Sequence, residues 1–284
     1  MKRLTVITGP TAVGKTMEAI KLALKLGTEI ISCDSRQFYS ELDIGVARPS
    51  ADELAAVRHH FIACRSVTDP YNAFNFEHDA LALAGQLFET HDDVVAVGGS
   101  GLYIEALCNG INLMPDPTPE LRAELSRKIA EGKLGELLEE LERRDPKYYN
   151  IVDRNNPIRV QRALEVIYTT GLPYSDIVDK PLPQRPFALE KRALCSDRQM
   201  LRDRIDRRVD EMMRQGLLDE VRSLLPYRHL NTLNTVGYKE LFAHIDGKCT
   251  LEQAVTDIKN HTWQYAKKQI TWLKRDKSII WNFV

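Results

Sequence analysis

Gly9-Pro10-Thr11-Ala12-Val13-Gly14-Lys15-Thr16 follows the apolar run Leu4-Thr5-Val6-Ile7-Thr8 and leads into Met17-Glu18-Ala19-Ile20-Lys21-Leu22-Ala23-Leu24. The octapeptide reads G-x-x-x-x-G-K-T, and it stands between a strand pattern and an amphipathic helix pattern, the setting of a phosphate loop. Glycines let such a loop wrap closely, with backbone N–H groups pointing inward at an anion. The helix N-terminus adds partial positive charge and Lys15 adds a point charge. The Thr16 hydroxyl is placed to hold Mg²⁺, as in ATP-binding loops of this kind. A di- or triphosphate is expected on these eight residues.

Outward from the loop, Gly27 reads as a helix C-cap and Glu29-Ile30-Ile31-Ser32-Cys33 as a second buried strand, ending on Asp34-Ser35-Arg36-Gln37. Ligands of open α/β sheets sit beyond the carboxyl ends of strands, so Asp34 is expected to face the phosphate loop. Its carboxylate suits either Mg²⁺ coordination or acceptance of a proton from a nucleophile; capping the next turn is the bland alternative. Asp93-Val94-Val95-Ala96-Val97 is a further buried strand, and it ends in Gly98-Gly99-Ser100-Gly101-Leu102-Tyr103. Ser100 has no evident base to make it a nucleophile, so a hydrogen-bonding role is expected. Between these strands lie the turn-rich Asp43-Ile44-Gly45-Val46-Ala47-Arg48-Pro49, a helix over Ala51 to Arg58, a short strand entry at His59-His60, and a helix over Phe76 to Thr90. The paired histidines lack a third ligand at useful spacing, which argues against a metal.

Met114-Pro115-Asp116-Pro117-Thr118-Pro119 breaks the α/β rhythm. Charged helical patterns follow over Glu120 to Glu131, Lys133 to Arg144 and Pro157 to Thr170, and strand character returns only at Leu189 to Cys195. Pro181, Pro183 and Pro186 mark the return. The expected fold class is α/β: a P-loop NTPase-like parallel-sheet core, residues 1–114 and 189–284, with an all-helical insertion domain, residues 115–188. Beyond it, Asp197 to Leu225 reads as one long helical segment with Arg198, Arg202, Arg204, Arg207 and Arg208 crowding its first turns. Such a run is often a solvated face, but after a core strand one or two of these forks can reach a phosphate. Near the C-terminus Lys267, Lys268, Lys274, Arg275 and Lys277 interleave with Trp263, Trp272 and Trp281, a mixture that suits nucleic acid. Ser278 to Phe283 is expected to close the sheet.

A net charge of −1 gives no global signal for nucleic acid, so any such surface must come from local clusters. The five cysteines are odd in number and form no C-x-x-C, which points to reduced thiols in a cytoplasmic protein. No apolar stretch reaches membrane-spanning length, and a strand begins at once where a signal peptide would lie.

By these residues alone, a small-molecule or nucleoside kinase is the most general candidate. The strand ending in Gly98-Gly99, where a motor-type ATPase would carry an aspartate, narrows the field. Taken together, the ordered motifs resemble the tRNA dimethylallyltransferases, also called tRNA isopentenyltransferases. They are the phosphate loop, Ser32-Cys33-Asp34-Ser35-Arg36-Gln37-Phe38-Tyr39, Asp43-Ile44-Gly45 and Gly98-Gly99-Ser100-Gly101-Leu102-Tyr103. Asn156-Pro157-Ile158-Arg159-Val160-Gln161-Arg162-Ala163-Leu164-Glu165, Val236-Gly237-Tyr238 and Ala266-Lys267-Lys268-Gln269-Ile270-Thr271-Trp272 complete the set.

The resemblance implies transfer of a dimethylallyl group from its diphosphate to the exocyclic amine of the adenosine immediately 3′ of the anticodon. It implies catalytic roles for Asp34, Ser100 and Arg204, diphosphate on the phosphate loop, and Mg²⁺ on Thr16. It implies contact of the target base and its neighbours with Asp34, Ser35, Arg36, Gln37 and Ser100. The anticodon stem-loop would meet Arg122, Ile158, Arg159, Val160, Gln161 and Arg162 of the insertion. It would also meet Asn234, Thr235, Val236, Gly237, Tyr238 and Lys239, and Lys267, Lys268, Gln269, Trp272 and Lys274. A bacterial-type, cytoplasmic monomer without a membrane segment or C-terminal zinc finger is expected. Three positions depart from the family pattern: Ser100 and Val46 stand where threonine is usual, and Trp263 where arginine is common.

Overall fold

The apolar run before the phosphate loop forms β1 (Arg3–Thr8), and every residue in it after Arg3 is buried. A parallel sheet covered by helices on both faces demands such unbroken apolar strands. From β1 the chain continues through α1 (Lys15–Leu26), β2 (Ile30–Ser32), α2 (Ala51–Ala56), β3 (His59–His60), α3 (Ala73–Thr90), β4 (Asp93–Val97) and α4 (Gly101–Asn109). Five helices follow: α5 (Pro119–Ala130), α6 (Leu134–Arg144), α7 (Pro146–Tyr149), α8 (Pro157–Thr170) and α9 (Tyr174–Val178). The chain then returns with β5 (Ala188–Cys195), α10 (Arg198–Arg214), α11 (Leu217–Ser223), α12 (Tyr238–Ile245), α13 (Leu251–Leu273) and β6 (Ile280–Phe283). This computed structural model describes residues 1–284 and resolves two compact units: Met1–Cys108 with Arg185–Val284, and Asn109–Gln184.

In the first unit six strands pair in the order β3-β2-β4-β1-β5-β6, every pair parallel. Side chains alternate across the sheet with the strand period of two. Leu4, Val6, Ile31, Val94 and Ala96 pack on one face with Phe76, Ala80 and Ala84 of α3 and with Ile104 and Leu107 of α4. Ile7, Ile30, Val95 and Val97 pack on the other with Ala19 and Ala23 of α1, Leu201 and Ile205 of α10, and Ala266 of α13. Ile7 and Ser32 both align with Val97, so the carboxyl ends of β1, β2 and β4 lie side by side. There the chain runs into the phosphate loop, Asp34 and Gly98, respectively.

The segment expected as one helix from Asp197 to Leu225 is two. Gly216, at φ +100°, is a left-handed residue that ends the first run and starts α11. The paired histidines lie on the short outer strand β3, where His60 Nε2 meets Glu29 Oε2 at 2.5 Å and His59 Nδ1 meets the Val57 carbonyl at 2.8 Å. No helix is long and apolar enough to cross a membrane.

The second unit is a helical bundle around Leu125, Leu137, Leu141, Val160, Ala163, Leu164 and Ile167. Its helices are started by local signals: Thr118 caps α5 ahead of Pro119, and Asn156 caps α8 ahead of Pro157. Asp145, buried, accepts hydrogen bonds from the Ser175 backbone N–H (2.7 Å), the Ser175 hydroxyl (2.8 Å) and the Tyr148 N–H (2.9 Å). One carboxylate thus ties the starts of α7 and α9 together.

Candidate active site

The phosphate loop is shaped by backbone that only small residues tolerate. Gly9 has φ +140°, and a Cβ there would stand 2.6 Å from the Leu194 carbonyl oxygen. Gly14 occupies the N-cap of α1 in the left-handed region, and no side chain caps that helix. Its first-turn N–H groups therefore lack a side-chain acceptor at the end where the helix dipole favours an anion. Gln269 of α13 braces the loop from outside: its Oε1 accepts from the Thr11 N–H at 2.8 Å, and its Nε2 donates to the Gly99 carbonyl at 2.8 Å. The side chain is buried, so the expectation that Gln269 touches tRNA is corrected. It clamps the phosphate loop to the end of β4.

Three cations converge on the loop without a carboxylate to neutralise them. Lys15 Nζ donates to the Pro10 carbonyl at 2.8 Å, Arg208 to the Thr11 hydroxyl at 3.3 Å, and Arg204 to the Val13 carbonyl at 3.3 Å. Burial, then the charge of Arg208, lowers the Lys15 pKa to about 8, with Asp34 acting the other way. Burial also lowers Arg208 from its ordinary value. Positive charge crowded and desolvated in this way is stabilised by an incoming polyanion. Arg204 was the expected clamp; Arg208, one helical turn further along α10, lies deeper at the site.

Asp34 Oδ1 accepts from the N–H groups of Arg36 (2.9 Å) and Gln37 (3.4 Å), which orients the carboxylate, while Oδ2 has no hydrogen-bond partner in the protein. Capping and availability for chemistry thus coexist on one side chain. The Ser100 hydroxyl accepts from the Ser35 N–H at 2.9 Å and shares a 3.1 Å hydrogen bond with the Ser35 hydroxyl. This couples the end of β4 to the turn that carries Asp34. The Gln37 amide donates to the carbonyls of Ala47 (2.9 Å) and Val46 (3.3 Å), so it holds the Asp43–Pro49 loop in place.

Two cavities meet at Asp34. One, of about 320 Å³, lies over the phosphate loop and is lined by Gly14, Lys15, Thr16, Asp34, Gln37 and Arg208 among others. The second, of about 240 Å³, has a polar side at Asp34, Ser35, Arg36, Ser100 and Thr262 and an apolar side at Val46, Val209, Met212, Val236 and Ile258. Thr11, Asp34, Val46, Ala47 and Arg208 line both. Tyr265, 42% exposed, borders the second cavity, and partial burial followed by the Asp34 charge pushes its hydroxyl up to about 12.

The sequence profile described as IPP transferase matches residues 37–276 of the chain. The chain belongs to the IPP transferase family. Among relatives of this family, tRNA dimethylallyltransferase 1 of Bacteroides thetaiotaomicron is 48% identical over 99% of this chain and 91% of its own length. The tRNA dimethylallyltransferase of Christiangramia forsetii is 47% identical over 97% and 91%. Of solved structures, the tRNA isopentenylpyrophosphate transferase of Bacillus halodurans superposes with TM-score 0.73 at 35% identity, covering 100% of this chain and 90% of that one. A eukaryotic dimethylallyltransferase acting on tRNA superposes with TM-score 0.79 at 26% identity, covering 100% and 74%.

The residues of this IPP transferase expected to meet RNA divide by exposure. In the α/β unit Asn234, Lys239, Lys267, Lys268 and Lys274 are exposed, Thr235 and Val236 half-buried, and Trp272 covers Gly101, where a Cβ would stand 2.6 Å from its ring. Tyr238 is corrected: it is fully buried, and its hydroxyl donates to Glu220 at 2.7 Å. Glu220 in turn accepts from the N–H groups of Ile44 (2.7 Å), Gly45 (3.1 Å) and Asp43 (3.2 Å). The motif residues Asp43-Ile44-Gly45 and Tyr238 thus share one structural carboxylate, and Gly45 is required because the Tyr238 ring lies against it. Gly237 is buried as well, and its N–H donates to Glu240 at 2.8 Å.

In the helical unit Ile158 is 75% exposed and Arg159 is exposed beside it, at the start of α8. Val160 is corrected: it is 0% exposed and belongs to the bundle core, so its side chain supports α8. Arg122 (3.4 Å), Gln161 (3.0 Å) and Arg162 (3.3 Å) all converge on the carboxylate of the buried Glu165. Glu165, Glu220 and Arg208 were not singled out as site residues from the sequence. Glu165, at the end of the quoted α8 motif, and Arg208, one of the five arginines opening the α10 segment, carried a local signal; Glu220 carried none.

Proposed function

We propose that this enzyme transfers a dimethylallyl group from dimethylallyl diphosphate to the exocyclic N6 amine of the adenosine immediately 3′ of the anticodon in tRNA, releasing diphosphate. The observation that carries this reading is the position of Asp34, with one oriented oxygen and one unpartnered, between a polyanion cradle and a cavity that is polar on one side and apolar on the other. That apolar wall suits a hydrocarbon chain leading away from the diphosphate.

The target base leaves its stack, at a cost of about a few kcal/mol, and enters the polar side of the second cavity. Its N6 attacks C1 of the prenyl group. As the N–C bond forms, the C–O bond to diphosphate breaks and its electron pair leaves on the diphosphate oxygen. The N6 amine is a weak nucleophile because its lone pair is delocalised into the ring. Asp34 Oδ2 accepts a hydrogen bond from it and takes the proton as the bond forms. Lys15, the loop N–H groups, Arg208 and Arg204 hold the charge that develops on the leaving group. Ser100 and Ser35 position the turn that carries the base.

Mg²⁺ suits the hard oxygen donors present, the Thr16 hydroxyl and the Asp34 carboxylate, since it retains waters and takes phosphate oxygens as further ligands. Bound through Thr16, it would add charge neutralisation of the leaving diphosphate. The exposed cations and Ile158 grip the anticodon stem-loop, and the enzyme works as a cytoplasmic monomer. Incubation with labelled dimethylallyl diphosphate and unmodified tRNA should place label in the RNA. ATP-dependent phosphorylation of a small molecule, with no label in RNA, would overturn the reading in favour of a kinase.

A further inference from the structure

The apolar side of the second cavity is a thin wall at one place. An open groove of about 610 Å³ runs along the other side of it, lined by Ile44, Pro49, Leu54, Glu211 and Gln215 among others. Three residues line both spaces: Ala47, Arg208 and Met212. Ala47 has little side chain to give up, and Arg208 is held by Thr11 at the phosphate loop. Met212, half-buried on α10 against the cluster containing Val209, Leu241 and Ile258, is the flexible apolar part of the partition.

We infer that Met212 sets the length of the prenyl chain this enzyme accepts, by closing the tail end of the second cavity against the neighbouring groove. This deepens the prenyl-transfer reading and rests on it. The diphosphate is anchored at Lys15 and Arg208, and C1 must meet the base beside Asp34. The rest of the chain then extends along the apolar side formed by Val46, Val209, Met212, Val236 and Ile258. Val46, which stands where the family usually carries threonine, adds an apolar side chain where both cavities meet. A five-carbon tail ends within about 240 Å³ shared with the incoming base. A ten-carbon tail has to pass through the place Met212 occupies. Removing the thioether joins the cavity to the groove and gives the longer chain a path.

The test compares geranyl diphosphate with dimethylallyl diphosphate as donors to unmodified tRNA, for the native enzyme and for Met212→Ala, Met212→Leu and Ile258→Val. Hydrophobic pockets discriminate by roughly 10- to 200-fold per methylene-scale change. Met212→Ala should therefore raise the ratio of kcat/KM for geranyl over dimethylallyl donor at least about tenfold. Met212→Leu, which keeps the volume, should retain the native ratio. Inhibition by inorganic diphosphate should be unchanged in all variants, because the phosphate loop is untouched. Ile258→Val, a smaller change on the same wall, should shift the ratio in the same direction by less, which keeps the idea testable if Met212→Ala folds poorly. Equal losses for both donors would mean a merely structural role and overturn the inference. So would an altered KM for tRNA with an unaltered donor ratio. Native enzyme that transfers label from dimethylallyl diphosphate shows the underlying reading to stand even when the ratio fails to move; native enzyme that transfers from neither donor sinks both.

Discussion

The phosphate-loop end of the α/β unit and the exposed side of the helical unit are both rich in cations, yet they handle charge in opposite ways. At the loop, Lys15, Arg204 and Arg208 donate to two backbone carbonyls and a hydroxyl, and no carboxylate is within ion-pair distance of any of them. In the helical unit most of the cations are already paired, Arg159 being an exception. Arg122 and Arg162 meet Glu165, Arg127 meets Glu131, Arg143 and Arg144 meet Glu140, and Lys147 meets Asp179. Half-buried cations with no carboxylate in ion-pair distance are costly in the free protein and are relieved by an external anion, which makes them a site of fixed geometry. The pairs with both partners exposed, such as Arg127–Glu131 and Lys147–Asp179, are cheap and easily exchanged, so they suit a partner whose phosphates take over from the carboxylates. The first arrangement reads as chemistry and the second as grip.

The sharpest way to break this contrast is at Asp34. Asp34→Asn keeps the size and an accepting oxygen but cannot take a proton at neutral pH. Single-turnover rates should fall by roughly 10²–10⁴ while affinity for tRNA and the diphosphate stays within about a few-fold. If Asp34 is chiefly a Mg²⁺ ligand, diphosphate affinity falls too and added Mg²⁺ restores part of the rate. Near-native chemistry would return Asp34 to a capping role.

Next in size is the loss of one of these half-buried cations. Arg208→Ala should cost about 2–4 kcal/mol of transition-state stabilisation, measured as kcat/KM for dimethylallyl diphosphate. Arg204→Ala should cost less, since Arg204 lies further from the centre of the site. The reverse order would mean that Arg208 only supports the loop through Thr11.

The third prediction concerns pH. The polyanion binds Lys15 in its protonated form, and in the free protein that form is lost as pH rises through about 8. Affinity for the diphosphate should therefore be full below that pH and decline above it, by at most about tenfold per pH unit. The neighbouring Arg208 charge helps lower the Lys15 pKa, so Arg208→Ala should move the decline to higher pH even as it weakens binding overall. Titration of inorganic diphosphate from pH 7 to 10 reads both effects. A decline that does not move in the variant would mean the two cations are uncoupled.

The smallest effects belong to the exposed cations, Lys267 and Lys268 on α13 and Arg122 on α5. Replacing Lys267 and Lys268 together by alanine should weaken tRNA binding and make the slope of log affinity against log salt shallower by up to about two, with little change for the diphosphate. Arg122→Ala should do the same by about one. A loss of diphosphate affinity on removing either would erase the distinction between the loop cations and the exposed ones.

Much of the fold was legible locally. The phosphate loop, β4 from Asp93 to Val97, α8 from Pro157 to Thr170 and the strand-end positions of Asp34 and Ser100 follow from apolar runs, caps and glycines spaced within a few residues of each other. Periodicity misled where one residue outweighed it. The run from Asp197 to Leu225 keeps its apolar spacing past Gly216, but the left-handed backbone there breaks the helix in two.

What the sequence determined by itself is therefore the parts: a polyanion loop, an acid at a strand end, a helical stretch between two strands of one sheet, and a motif order shared with a family. Only tertiary structure decided which side chains complete the site. Arg204 and Arg208 lie on the same stripe of α10 and carry the same chemistry. Their difference in depth comes from where that helix crosses the loop, a contact spanning 197 residues at Thr11. Gln269 sits in a basic stretch that invites an RNA reading, yet it faces inward to Thr11 across 258 residues. Val160 and Tyr238 lie within motifs and are buried, while Met212 is an ordinary apolar residue in sequence and a partition between two cavities in space. Local periodicity is written into neighbouring residues, whereas the meeting of distant elements is set by how their faces pack, which no short stretch of chain encodes.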